Sequence, residues 1–140
     1  MPRYAARRVL PATVEDVWAV LAEPARFPEW WPGVEAVDPG RRGLVPGGMW
    51  KIDGGGPKMS FRRRPEMAGD LLLIEVVPRA KVVFQLIAEG MWVELELEPD
   101  EDDHAAASLV VEARRFSGVG RAFPSEVLAK LAAVVRPAAG

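Results

Sequence analysis

A chain of 140 residues with 49% hydrophobic and 27% charged side chains has the size and composition of one globular domain, large enough to bury a core without covalent staples. Eighteen basic against twenty acidic residues leave a net charge of −2, which excludes the broad basic footprint that nucleic-acid phosphates require. There is no cysteine, so disulfides, thiolate metal sites and thiol nucleophiles are excluded as well.

The elements follow in chain order. Arg3 to Leu10 reads as a strand ended by Pro11. Thr13 is then the N-cap of a helix, with Glu15 and Asp16 in its first turn, where the dipole favours negative charge. Val14, Val17, Trp18 and Leu21 follow the i, i+3, i+4, i+7 spacing of one buried face. Pro24 stops this helix and starts a short second one, and Pro28 and Pro32 bracket Glu29-Trp30-Trp31.

From Val34 the period changes to two. The expected strands are Val34–Asp38, Gly48–Asp53, Lys58–Arg64, Leu71–Val77, Lys81–Glu89, Met91–Glu98 and His104–Phe116. The clearest is Val93 to Glu98, a strict apolar/charged alternation with one face buried and one wet. Pro39-Gly40, the Gly54–Pro57 run and the acidic cluster Pro99–Asp103 supply the turns of a hairpin meander. A second long helix, about Phe123 to Val135, closes the chain, with Pro124 in its first turn and Pro137 beyond its end. The fold class is therefore α+β: a curved antiparallel sheet of about seven strands around a long carboxy-terminal helix, as a single domain over 1–140. No apolar stretch approaches the roughly 20 residues that span a bilayer, and the amino terminus lacks the apolar core of a signal peptide. The expected location is cytoplasmic, with no integral membrane association.

The segments Ala12-Thr13-Val14-Glu15-Asp16-Val17-Trp18-Ala19-Val20-Leu21 and Glu23-Pro24-Ala25-Arg26-Phe27-Pro28-Glu29-Trp30-Trp31-Pro32-Gly33-Val34 carry a resemblance. They look like the opening of the START-like (SRPBCC) superfamily, in its polyketide cyclase/dehydrase and lipid-transport branch. Thr13 stands where the pattern has proline and Glu23 where it has aspartate. The resemblance covers nearly the whole chain and implies the helix-grip fold, with a ligand cavity between the sheet and the terminal helix. It also implies a range of activities, from lipid or quinone carriers to aromatase/cyclases and co-chaperones, among which a fold does not choose.

The residues that alternate as inward positions are apolar. They are Trp50 and Ile52 on one strand, Met59 and Phe61 on the next, then Leu72 and Ile74. Phe84 and Leu86, Val93 and Leu95, and Leu109 and Val111 continue the set, and Leu128, Leu131 and Val135 add the helix. They either line a ligand site, which is typically apolar with few polar groups, or fill a core. A slip of one residue reverses any of these strands.

Chemistry-bearing residues are sparse. His104 is the single histidine and follows the acidic tip, which excludes two-histidine metal sites; no metal and no cofactor are expected. That tip lacks the spaced ligands and central glycine of a calcium loop. Ser117-Gly118-Val119-Gly120 lacks the spacing of a phosphate loop. Arg63 shares the parity of Met59 and Phe61, and an inward arginine needs a carboxylate or an anion beside it. Glu75 is the candidate partner, on the strand face shared with Leu71 and Leu73. If the chain is a cyclase, Arg63 orients carbonyls while Glu75 or Tyr4 moves protons. The leading expectation is instead a binder or carrier of a hydrophobic small molecule (lipid, quinone or polyketide-like), monomeric or homodimeric and without nucleic-acid partners. A protein-interaction module is the third reading, to be recognised by an exposed apolar patch on the outer sheet face or around Trp30-Trp31.

Overall fold

The computed structural model describes residues 2–54, 68–114 and 119–136. The first strand, β1 (Arg3–Val9), leads into helix α1 (Val14–Leu21). The Asp16 amide donates to Thr13 Oγ1 at 3.2 Å, so Thr13 caps the helix as its sequence context demands, with Glu15 and Asp16 in the first turn. Val17, Val20 and Leu21 form the buried face, and Val14 and Trp18 pack half-buried at its margin. Thr13→Ala is expected to cost about 1 kcal/mol, the usual value of such a cap. Urea unfolding should show it as a lower midpoint at unchanged slope.

A 3₁₀ turn at Pro24–Arg26 passes into the one-turn helix α2 (Phe27–Trp30), with Pro28 in its first turn. Trp31 is already extended, so the prolines fix two adjacent indoles on a segment too short to shift.

Six more strands follow: β2 (Ala36–Asp38), β3 (Met49–Asp53), β4 (Gly69–Val77), β5 (Lys81–Leu86), β6 (Met91–Pro99) and β7 (Ala105–Glu112). All pairings are antiparallel and the sheet order is β1-β7-β6-β5-β4-β3-β2. Strands β2 to β7 thus form the expected meander, and β1 pairs beside β7. The closing helix α3 (Phe123–Val135) packs on β1 and β7 and meets α1 and α2. This is the helix-grip arrangement. No helix among the described residues is long and apolar enough to cross a membrane.

The inward parity read from the sequence holds on most strands. Trp50 and Ile52, Phe84 and Leu86, Val93 and Leu95, and Leu109 and Val111 are all buried, as are Leu128, Leu131 and Val135. The strand expected at Lys58–Arg64, with Met59, Phe61 and Arg63, lies outside the described residues.

Strand β4 corrects the reading. Leu71 and Leu73 are the buried residues, while Leu72 is half-buried on the other face and Ile74 is 38% exposed. Four consecutive apolar residues, Leu71 to Ile74, carry no period-two signal, so parity there was not readable. A β-bulge then intervenes: Leu73 pairs with Phe84 and Glu75 with Val83, leaving Ile74 as the extra residue. Beyond the bulge Val76 pairs with the inward Val82.

Candidate functional site

Helices α1 and α2 and strands β3 to β6 enclose the space of interest. Leu21 comes from α1, Phe27 and Trp30 from α2, Trp50 from β3, Leu71 and Leu73 from β4, Val82 and Phe84 from β5, and Leu95 from β6. Leu44, on the connection between β2 and β3, completes the wall. Among the described residues it is the one lining residue that is only half-buried.

Local sequence places that loop. Val45-Pro46-Gly47-Gly48 has the residue pattern of a type II turn, with Gly47 at φ +80° and the Gly48 amide donating to the Val45 carbonyl at 3.0 Å. A Cβ on Gly48 would stand 3.0 Å from two carbonyl oxygens and 3.3 Å from Leu73 Cδ1, so only glycine lets the loop lie this close to β4. The Gly47 amide donates to Leu73 O at 2.8 Å, and Leu73 N donates to Gly48 O at 2.9 Å. Trp50 Nε1 donates to the Gly43 carbonyl at 2.9 Å. Leu44 is therefore held over the concave face from both sides.

The volume left inside is about 10 Å³, roughly the space of a single water. This space is not the cavity expected between the sheet and α3: it lies under α1 and α2, and no α3 residue lines it. Leu128, Leu131 and Val135 are packed instead where α3 meets β1, β7 and the other helices.

An aromatic cluster forms one wall. The Phe27 ring stacks on Trp31 at 5.6 Å and 14°, and meets Trp30, Trp50 and Phe84 edge to face at 5.0–5.8 Å. Trp31 also meets Phe84 at 5.3 Å and Phe123 of α3 at 5.4 Å. Such offset and edge-on contacts are the favourable ones for ring quadrupoles. Trp30 and Trp31 are buried, so they are not the exposed patch an interaction module would use. Their Nε1 donors have no acceptor among the described residues. An unpaired buried donor costs about 1–3 kcal/mol, and few native groups are left so.

Electrostatics at the site are quiet. On the outside of α2, Arg26 Nε donates to Glu29 Oε2 at 2.9 Å, and this bond holds the Glu29 carboxyl below the usual carboxylate range. Both groups are exposed to water and take no part in the lining.

The polar candidates do not meet. Glu75 is exposed on the outer face and pairs with Lys81 Nζ at 3.6 Å, which also reaches Glu96 at 3.8 Å. The bulge that frees Ile74 also sets Glu75 outward, so Glu75 is not the inward partner proposed for an arginine. Tyr4 is half-buried on the inner face of β1, opposite Val111, and is absent from the lining. Arg8, with the same parity, is exposed. His104 sits exposed in the β6–β7 turn, where its amide donates to Asp100 Oδ1 at 2.8 Å. No cluster of three or more His, Asp or Glu side chains among the described residues has metal-binding spacing. Sequence reasoning missed Leu21, Phe27 and Trp30 of the helices, Leu71, Leu73 and Val82 of the strands, and above all Leu44, whose loop has no periodic pattern to read.

The profile of the family described as polyketide cyclase/dehydrase and lipid transport matches residues 1–138. Among solved structures, protein CV1439 of Chromobacterium violaceum is 18% identical, with 99% of this chain and 100% of that chain covered and a TM-score of 0.66. The Aha1 dimer of Colwellia psychrerythraea is 16% identical over 100% of both chains, with a TM-score of 0.67. A protein of the dynemicin biosynthetic locus is 17% identical over 96% of this chain and 47% of its own, with a TM-score of 0.69. At these identities the likeness establishes a common fold. No curated protein matches the sequence.

Proposed function

The chain belongs to the polyketide cyclase/dehydrase and lipid transport family, and from that premise we propose that it binds an apolar small molecule on the concave side of its sheet, beneath α1 and α2. One observation carries the reading. Among the described residues, ten apolar side chains from six elements and one loop converge on a single space, and none of them is ionisable. Sites for lipids, quinones and polyketide-like molecules have this character.

Binding is favoured over cyclisation by where the polar residues stand. Of the polar candidates among the described residues, Glu75 is on the opposite face and Tyr4 lies on the β1 edge strand, so neither stands at this space. Outer-face apolar residues such as Met49, Ile74 and Val77 are exposed, but Lys51, Glu75 and Lys81 are interspersed with them. That mixture is a weak argument for a protein-docking patch.

A space of about 10 Å³ admits no such ligand as it stands. Entry must displace a side chain, and Leu44 is the least buried member of the wall and stands on a loop. Returning a half-buried leucine to water costs about 1 kcal/mol. Leu44→Ala removes that cost, so it should bind fluorene roughly fivefold more tightly than the unmodified chain. Its stability should fall by about 1 kcal/mol, less than for a fully buried leucine. Titration followed by tryptophan fluorescence and calorimetry checks both. Absence of binding by either protein would remove the ligand reading.

A further inference from the structure

Trp30 and Trp31 are 4% and 0% exposed, and neither indole Nε1 has an acceptor among the described residues. Trp50, a third indole at the same site, shows the ordinary arrangement: its Nε1 donates to a carbonyl at 2.9 Å. The two orphans are neighbours, with ring centroids 5.9 Å apart. Trp30 lines the residual space, and Trp31 packs against Phe27 and Phe84, which line it too.

A buried water does not account for them. An interior water needs two to four polar partners. The two indoles can only donate to it, and no lining side chain among the described residues accepts from its own two hydrogens. A charged ligand group does not account for them either, because the lining holds no cation among the described residues to offset its burial. What fits is an uncharged oxygen acceptor on an otherwise apolar molecule.

We infer that Trp30 and Trp31 form a polar subsite that selects ligands bearing a ketone, quinone or similar neutral oxygen over hydrocarbons of the same shape. The inference rests on the binding reading above and adds the chemical class to it. With no acceptor among the described residues, the donors gain nothing from a hydrocarbon and are satisfied when a ligand brings an acceptor. A hydrogen bond made in such an apolar surrounding is worth about tenfold in affinity.

The test compares 9-fluorenone with fluorene, and acetophenone with ethylbenzene, each pair alike in size and differing by one oxygen. Calorimetry on the full chain should give each ketone an affinity about tenfold above its hydrocarbon. In ¹H–¹⁵N spectra the assigned indole signal of Trp30, Trp31 or both should move downfield with ketones and stay in place with hydrocarbons. Trp30→Phe and Trp31→Phe, which keep an aromatic ring and delete the donor, should reduce the ratio towards one. The indole spectra need no variant, so the test survives a substitution that fails to fold. Equal affinities within each pair, with unmoved indole signals, overturn this inference and leave the binding reading intact. No binding by any of the four probes overturns both.

Discussion

Trp31→Ala is expected to lower the unfolding free energy by about 3–5 kcal/mol, and the melting temperature by about 10–15 °C for a chain of this size. The argument is one of position. Trp31 is fully buried, and its ring touches Phe27 of α2, Phe84 of β5 and Phe123 of α3. One side chain thereby joins the short helix, the middle of the sheet and the first turn of the closing helix. Total stability of a domain this size is about 5–15 kcal/mol, so the loss is a large share. Trp31→Phe separates two contributions: it keeps most of the packing and removes the orphan donor, so its cost should be well below that of alanine. Urea unfolding with an unchanged slope is the measurement. An alanine variant that loses less than about 1.5 kcal/mol would mean that the neighbouring rings close over the gap and that Trp31 is not the joint.

Much of this architecture was legible because the chain repeats its signals. Thr13 with Glu15 and Asp16 marks a helix start, and the cap bond to the Asp16 amide is present. Strand β6 alternates without fault, and Val93, Leu95 and Leu97 are buried while Glu96 and Glu98 are exposed. Helix α3 begins and ends at Phe123 and Val135, as the prolines around it imply. Strand β4 was not legible, because a continuous apolar run erases the alternation on which parity depends. A bulge, moreover, is a property of the pairing with β5 and not of β4 alone.

The site was harder to read than the fold, for a related reason. Trp50, Phe84 and Leu95 were identified by parity alone and do line the residual space. Leu44 was invisible, since its place in the wall depends on Gly48 letting the loop approach Leu73. The position of the space beneath α1 and α2, away from α3, is set by how three helices share one concave face. Periodicity within each helix says which side is apolar and nothing about which strand that side meets.

The sharpest probe of that packing is Phe84→Ala. Phe84 is 2% exposed, lines the residual space and contacts both Phe27 and Trp31. Removing its ring should cost about 3–5 kcal/mol and leave an apolar cavity on the order of 100 Å³, the scale at which such a cavity stays dry and takes up benzene. Benzene at a hundred times its dissociation constant should then restore about 2.7 kcal/mol, close to 9 °C in melting temperature for this chain length. The unmodified chain is the informative partner in that experiment. If benzene stabilises it too, the native interior opens on its own, and the 10 Å³ space is the closed form of a binding site. If benzene stabilises only the variant, and fluorene binds neither the unmodified chain nor Leu44→Ala, the interior is a filled core. The ligand reading would then fail, and the apolar convergence on the concave face would serve stability alone.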